Sequence, residues 1–127
     1  MTPPVEKGMV LVVDDIEFNR ILARDYLELL GWRVTECAGS FQALNYLCTK
    51  TPEYILLDIR MPDIDGVGFA KIVGEIYPAN TIKLVAYTAH VFSDELTRIY
   101  ESGFHSVLIK PVSLADMKSI FNIADLS

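Results

Sequence analysis

The chain has 127 residues, 51% of them hydrophobic, and a formal net charge of −6 at pH 7. This length and composition fit a single domain with a buried core. The acidic balance argues against non-specific nucleic-acid binding, which needs a basic surface, so we expect no direct nucleic-acid partner. No apolar run approaches the length of a membrane span and no signal-peptide pattern opens the chain, so we expect no membrane partner and a cytoplasmic location.

The start of the chain differs in character from the rest. Residues 1–8 contain paired prolines and a glycine, which oppose both a helix and a central strand. We therefore predict a flexible lead-in over residues 1–8 and one domain over residues 9–127. Cys37 and Cys48 form no CxxC or zinc-ligand spacing, which favours reduced thiols over a disulfide.

From residue 9 onward, short apolar runs alternate with segments of helical periodicity. The predicted strands are 9–13, 32–37, 54–58, 82–87 and 106–109, and the predicted helices are 17–30, 41–49, 67–77, 92–102 and 113–124. The aromatic residues expected in the core from these helices are Tyr26, Phe41, Phe69 and Phe121. Strict alternation of strands and helices predicts an α/β fold, a (βα)5 chain whose parallel sheet is covered on both faces.

Four of the five predicted strands end in side chains capable of chemistry, namely Asp14 with Asp15, Asp58, Thr88 and Lys110. All carboxyl ends of a parallel sheet lie along one edge, where ligands bind. The residues do not reveal the strand order, but these groups converge if the first, third, fourth and fifth strands are neighbours. Three carboxylates at one place require a cation, and an all-oxygen set favours Mg²⁺ over zinc.

A magnesium site of this kind indicates phosphoryl chemistry, because Mg²⁺ prefers a few carboxylates together with phosphate oxygens. A lysine and a threonine both suit phosphoryl oxygens, and an aspartate is an adequate acceptor. Taken alone, Asp14 and Asp15 would fit a turn that caps a helix, and Lys110 would fit an ordinary surface lysine. Asp63 and Asp65 are predicted as turn and N-cap residues rather than as acceptors.

Five features occur in order along the chain: Val13-Asp14-Asp15, Leu57-Asp58, Met61-Pro62 before Gly66, Thr88-Ala89 and Lys110-Pro111. With them, the chain from Met9 to about Ala124 resembles the receiver domain of bacterial two-component response regulators, in the style of hybrid-kinase and phosphorelay receivers. The resemblance implies a flavodoxin-like, doubly wound parallel sheet of strand order 2-1-3-4-5. It also implies a phosphorylation-dependent signalling switch.

The resemblance assigns roles to the residues of the site. Asp58 would accept the phosphoryl group. Asp15 would bind Mg²⁺ directly and Asp14 directly or through water, with Asp58 and the backbone carbonyl of Arg60 completing the protein ligands. The Lys110-Pro111 bond would be cis.

Further roles follow from the same resemblance. The Thr88 hydroxyl would move to the phosphoryl group and Lys110 would pair with its oxygens. Arg60 and His90 would flank the phosphoryl group and tune its lifetime, although both also fit solvated loop residues. The family often carries Tyr or Phe three residues before the lysine, and this chain has Val107 there, so we expect an output mechanism without an aromatic flip at that position.

The implied phosphoryl donor is a phosphohistidine on a sensor histidine kinase or on a histidine phosphotransfer protein. The downstream effector is not readable from the sequence. No effector follows the last helix in this sequence, so we expect the output to lie in a partner or in another portion of a longer protein. Both a stand-alone regulator and the receiver of a hybrid kinase fit this pattern.

Two other functions remain open. The first is an aspartate-nucleophile phosphohydrolase, but those enzymes carry a second acid two residues after the nucleophile, where this chain has Arg60. The second is a receiver-like interaction module that no longer uses phosphate, against which the intact acidic pair, Thr88 and Lys110 argue. We expect a switch rather than an enzyme, with only self-catalysed phosphoryl acceptance and slow autodephosphorylation.

Overall fold

The computed structural model describes residues 3–79, 81–89 and 93–121. Strands and helices alternate through these residues, as predicted. In chain order the elements are β1 Val5–Val13, α1 Glu17–Leu29, β2 Arg33–Cys37, α2 Ser40–Leu47, β3 Thr51–Asp58, α3 Gly66–Ile76, β4 Lys83–Thr88, α4 Ser93–Glu101, β5 Ser106–Ile109 and α5 Leu114–Ile120.

The strands form one parallel sheet in the order β2-β1-β3-β4-β5, which confirms the order implied by the resemblance. Buried side chains form an apolar cluster on each face of the sheet. One cluster joins the sheet to α1 and α5, and the other joins it to α2, α3 and α4. Because β1, β3, β4 and β5 are successive neighbours, the polar residues at their carboxyl ends lie along one stretch of the sheet edge.

Strand β1 begins at Val5, so the predicted lead-in over residues 1–8 was wrong from that residue onward. Glu6 pairs with Pro52 of β3, and the register shifts before the regular ladder resumes. Gly8 lies within this irregular stretch and has a φ of 82°, a conformation that glycine adopts without strain. The glycine that argued against a strand therefore accommodates an irregularity inside one.

Several helix ends carry capping residues, among them Asp65, which was predicted as a turn or N-cap residue. Gly31 and Gly103, which follow α1 and α4, have φ values of 89° and 108°. Asp65 caps α3 by accepting a hydrogen bond from the backbone N–H of Gly68 at 2.8 Å. Ser113 caps α5 in a reciprocal arrangement with the third residue of that helix. These local signals mark one end of each of four helices, α1, α3, α4 and α5.

The prediction for the helical aromatic residues was correct for Phe69 and Phe121, which are fully buried, and wrong for Phe41, which is 65% exposed. Phe41 lies in the first turn of α2, on the side away from the sheet. The residues of α2 that are buried are Ser40, Ala43 and Leu47. Because these three residues define the buried side of α2, Phe41, which is next to Ser40 in the sequence, points toward solvent.

The structure also describes the two cysteines and the character of the helices. Cys37 is buried and Cys48 is exposed, and both thiols are free. Among the described residues, none of the helices has the length and apolar character needed to cross a membrane.

The turn after β3 packs closely against the start of α3. The backbone N–H of Gly66 donates to the carbonyl of Ile59 at 2.8 Å. A Cβ atom at position 66 would lie 2.9 Å from the Cα of Ile59 and closer still to its side chain. Glycine is thus required here by the close approach of a neighbouring backbone, and this contact holds the segment that follows Asp58.

We expect Gly66→Ala to lower the free energy of unfolding by about 1–3 kcal/mol, because the Ile59 backbone has to move to admit the added methyl group. Gly74→Ala in the same helix is the matched control, since nothing lies within 4 Å of its Cβ position. The control should raise stability by up to about 1 kcal/mol through helix propensity. Urea unfolding measures both, and an equal loss in the two variants would contradict the packing argument.

Candidate functional site

The polar residues predicted for the site are brought together at one edge of the sheet. Asp58 and Thr88 are the last residues of β3 and β4, while Asp14 and Lys110 directly follow β1 and β5. Each is held by a strand that is hydrogen-bonded to its neighbour in the sheet. Their backbones are therefore fixed by the sheet, and their side chains extend beyond its carboxyl edge.

The side chain of Lys110 lies between two carboxylates. Its Nζ atom is 3.1 Å from Oδ2 of Asp14 and 3.2 Å from Oδ2 of Asp58. The backbone N–H of Lys110 donates to the Thr88 carbonyl at 2.8 Å, which ties the segment after β5 to the end of β4. The Lys110-Pro111 bond is cis, as the resemblance implied. The single ammonium thus partly balances two acidic groups.

Asp58 is 5% exposed, and its Oδ1 accepts a hydrogen bond from the backbone N–H of Arg60 at 3.1 Å. Burial raises the pKa of Asp58 above its ordinary value. The Arg60 N–H and the Lys110 ammonium act in the opposite direction, while the Asp14 carboxylate raises the pKa further. Asp58 is thus a carboxylate with weakened solvation, held beside a cation.

Asp14 is fully buried, and its two carboxylate oxygens have different surroundings. Oδ1 accepts the backbone N–H of Ile16 at 2.9 Å. Oδ2 has no hydrogen-bond partner among the described residues, and it lies 3.1 Å from the Lys110 ammonium as one half of an ion pair. A buried carboxylate oxygen left without a hydrogen bond is a donor atom available to a cation.

Asp14, Asp15 and Asp58 each offer a carboxylate oxygen, and these oxygens lie within 4.8 Å of one another. Asp15 is exposed, so the cluster is open to solvent on one side. An open all-oxygen set, with one oxygen lacking a hydrogen bond, fits a hard divalent cation such as Mg²⁺.

The other residues predicted to act in or near the site differ in how deeply they are buried. Thr88 is buried at the end of β4, beside the strand that carries Asp58. The Arg60 side chain is 62% exposed, and its Nη2 lies 3.4 Å from Oε1 of Glu95 on α4. Val107 is half-buried and packs against the cluster beneath α2, α3 and α4. His90 lies outside the described residues.

Asp63 has a role that sequence reasoning missed. Its Oδ2 accepts the backbone N–H of Phe41 at 3.0 Å, so it satisfies a donor in the first turn of α2 from a distant loop. Slight burial acts to raise the pKa of Asp63, but backbone N–H groups, including those of Phe41 and Ile64, lower it overall. Local sequence carries no signal for this contact, because the two residues lie 22 positions apart.

Tyr87 is the second residue that sequence reasoning passed over. It precedes Thr88 on β4 and is 1% exposed. Its ring centroid lies 4.5 Å from the Nζ atom of Lys110. Burial raises the pKa of Tyr87 to about 12, and the charges of Asp14 and Asp58 contribute to the shift. An aromatic face therefore forms one wall of the site.

The sequence model of the response regulator receiver domain matches residues 10–122. The sensor histidine kinase RcsC of Salmonella typhi is 36% identical over 110 residues, which is 87% of this chain and 11% of RcsC. The aerobic respiration control sensor protein ArcB of Escherichia coli K12 is 37% identical over 112 residues, which is 87% of this chain and 14% of ArcB. The chain thus spans a small fraction of the length of these curated relatives.

One solved structure similar to this chain contains a metal ion. The receiver domain of sensor histidine kinase PA1611 from Pseudomonas aeruginosa PAO1 has a TM-score of 0.80 and 25% sequence identity to this chain, and the match covers 91% of this chain and 94% of that one. That structure has a magnesium ion coordinated in its active-site cleft.

In a buffer without divalent cations, we expect Asp58→Asn to raise the free energy of unfolding at neutral pH. The raised pKa means that the folded state holds the Asp58 proton more tightly than the unfolded chain does, so ionised Asp58 opposes folding. The gain should be complete above the folded-state pKa and should shrink as the pH falls through it. Urea unfolding in a chelator at several pH values measures the effect.

Asp63→Asn, in the same loop, is the control, and we expect it to change the free energy of unfolding in the opposite direction. Its lowered pKa means that ionised Asp63 favours folding, so the substitution should reduce stability at neutral pH. That loss should shrink as the pH falls through the lowered folded-state pKa. A loss of stability in both variants at neutral pH would show that the Lys110 and Arg60 contacts outweigh the burial of Asp58.

Proposed function

The chain belongs to the response regulator receiver domain family, whose members are phosphoryl-acceptor signalling switches, and from that premise we propose that Asp58 is its phosphoryl acceptor. One observation carries the proposal. Asp58 ends a central strand with one carboxylate oxygen near an ammonium and the other on a backbone N–H, in a cluster of three carboxylates. This arrangement supplies a fixed nucleophile together with groups that compensate negative charge.

The proposed reaction is transfer from a phosphohistidine. A carboxylate oxygen of Asp58 attacks phosphorus, an O–P bond forms and the P–N bond to the imidazole breaks. The imidazole nitrogen keeps the bonding electron pair and, once it takes up a proton, leaves a phosphate-free histidine. The product on this chain is an acyl phosphate. Asp58 must be ionised to attack, and the Lys110 ammonium and the Arg60 N–H both favour that state.

Lys110 serves the transfer by its position. Its ammonium already lies 3.2 Å from Oδ2 of Asp58, so it stands beside the oxygen atoms that a phosphoryl group would add there. Charge spreads over the phosphoryl oxygens in the transition state, and a fixed cation stabilises that charge. The backbone N–H of Lys110 donates to the carbonyl of Thr88, which fixes the point from which the lysine side chain extends toward Asp58.

The carboxylates of Asp14, Asp15 and Asp58, with the backbone carbonyl of Arg60, would hold Mg²⁺. When bound, Mg²⁺ neutralises charge on the carboxylates and on the phosphoryl oxygens. Asp14 is oriented by the hydrogen bond from the Ile16 N–H to Oδ1, and its Oδ2, which lies beside the Lys110 ammonium, has no hydrogen bond among the described residues.

In the proposed switch, the Thr88 hydroxyl moves to a phosphoryl oxygen and biases two pre-existing conformations of the face formed by β5, α4 and α5. Val107 lies on this face without the aromatic ring that the family often carries. Arg60 and His90 would tune the lifetime of the acyl phosphate, and the support for Arg60 is that it lies two residues after Asp58 with an exposed guanidinium.

The proposed donor is a sensor histidine kinase or a histidine phosphotransfer protein. The support is that relatives with matching segments, RcsC and ArcB, are named as sensor proteins. The effector that reads the switch is a further, unidentified partner. The net charge of −6 gives no support for direct nucleic-acid binding.

A phosphohydrolase is the rival enzyme function. It would need an acid two residues after the nucleophile, and Arg60 occupies that position with its guanidinium paired to Glu95. We therefore propose no turnover beyond self-catalysed phosphorylation and slow autodephosphorylation.

Incubation with a small-molecule phosphodonor and Mg²⁺ should add the mass of one phosphoryl group to the intact protein. Asp58→Asn should gain none, because the amide is not a nucleophile. Asp63→Asn is the matched control in the same loop and should be phosphorylated like wild type. A wild-type protein without the added mass, or an Asp58→Asn variant that gains it as readily, would refute the assignment.

Mg²⁺ should raise the free energy of unfolding of the wild type, by about 2.7 kcal/mol at a concentration 100-fold above its Kd. Asp15→Asn should lose most of that gain while folding normally without Mg²⁺, since Asp15 is exposed. Glu17→Gln, which changes a nearby exposed acid outside the cluster, should keep the gain. Urea unfolding with and without Mg²⁺ tests the site, and an undiminished gain in Asp15→Asn would remove that residue from it.

A further inference from the structure

We propose that Tyr87 is a positioning residue for the phosphoryl chemistry, acting through Lys110. Its aromatic face holds the Lys110 ammonium in the space between Asp14 and Asp58. This inference rests on the proposed function, because the consequence of a misplaced ammonium is a slower reaction at Asp58. The contact itself is a property of the folded chain and can be observed without any reaction.

The geometry places one ammonium in three contacts. Nζ of Lys110 lies 3.1 Å from Asp14 Oδ2, 3.2 Å from Asp58 Oδ2 and 4.5 Å from the centroid of the Tyr87 ring. A cation within about 6 Å of an aromatic centroid is attracted by the ring quadrupole. The Lys110 side chain is largely buried and the tyrosine fully so, which reduces the screening of that attraction by water.

The ring is a fixed surface, whereas the lysine side chain is flexible. Tyr87 is paired on one side with Asp58 of β3 and on the other with Leu108 of β5. Its carbonyl accepts the backbone N–H of Ile59 at 3.2 Å. The ring packs within the apolar cluster beneath α1 and α5. A side chain with four rotatable bonds is thus placed against one that cannot easily move.

The ring attracts the Lys110 ammonium in a way that phosphorylation of Asp58 does not change. A phosphoryl group on Asp58 changes the charge and position of the oxygen that Lys110 contacts, so the ammonium has to shift while staying in the site. Attraction to an aromatic face is spread over the ring and does not depend on the charge state of either carboxylate. Tyr87 therefore keeps the ammonium close to Asp58 before and after transfer.

Two substitutions at Tyr87 distinguish the effect of the aromatic face from the effect of side-chain bulk. Tyr87→Phe keeps the aromatic face and the packing, and Tyr87→Leu keeps an apolar side chain without the ring. We expect Tyr87→Phe to be phosphorylated by a small-molecule phosphodonor within about two-fold of the wild-type rate. We expect Tyr87→Leu to be slower, on the order of ten-fold, because the ammonium loses the cation–π contact.

A double substitution tests whether Tyr87 acts through Lys110. In a Lys110→Met background, Tyr87→Leu should change the rate no further, since no ammonium remains to be positioned. A purely structural effect of the leucine would persist in that background. Tyr87→Met, which fills the space with a flexible apolar chain, should behave like Tyr87→Leu and provides the test if the leucine variant does not fold.

A spectroscopic measurement completes the test without phosphorylation. In the full chain, the CεH₂ protons of Lys110 should be shifted upfield by the ring current in wild type and in Tyr87→Phe, and should return to ordinary values in Tyr87→Leu. The inference is overturned if wild type shows no such shift, if Tyr87→Leu reacts at the wild-type rate, or if Tyr87→Phe is as slow as Tyr87→Leu. Failure of the proposed function differs, since wild type would then gain no phosphoryl mass whatever the proton shifts show.

Discussion

The ammonium of Lys110 is the contact on which the carboxyl edge of the sheet depends. Asp14 and Asp58 are both buried and both acidic, and like charges at this distance would repel strongly without a cation between them. Removing the ammonium would leave two buried carboxylates without a compensating charge, which is costly. One ammonium does not balance three carboxylates, however. The site keeps a residual negative charge, which suits the binding of a divalent cation.

Asp58, the proposed acceptor, is held in place by contacts of the segment that follows it. Gly66 permits the close return of the chain onto Ile59, and Asp65 caps the helix that begins there. Asp63 ties the same loop to the first turn of α2. The loop is therefore anchored to two helices and one strand, which fixes the position of Asp58 while the Arg60 side chain remains at the surface. The same loop thus gives the proposed nucleophile a rigid position and leaves a neighbouring side chain exposed.

Much of the fold was predictable because its signals are local. Alternating apolar runs and helical segments gave the elements, and polar residues at strand ends gave the site, since parallel strands bring those ends to one edge. The strand order came from the resemblance, because it depends on contacts between distant segments. The start of β1 at Val5, the exposure of Phe41 and the cap supplied by Asp63 were missed for the same reason. Each is decided by a partner far away in the chain, which residue spacing does not encode.

Position 107, where the family often carries an aromatic residue, and position 87, which holds Tyr87, lie on opposite faces of the sheet. Val107 packs toward α2, α3 and α4, whereas Tyr87 belongs to the cluster beneath α1 and α5. A rotamer flip that exposed Tyr87 would take its ring out of the core and away from Lys110, so this residue is unsuited to replace an aromatic switch on β5. The proposed switch would then act through movement of helices rather than through a ring that flips at either of these two positions. The Arg60–Glu95 ion pair is one contact that joins the acceptor loop to α4, and a phosphoryl group on Asp58 would compete with Glu95 for the guanidinium.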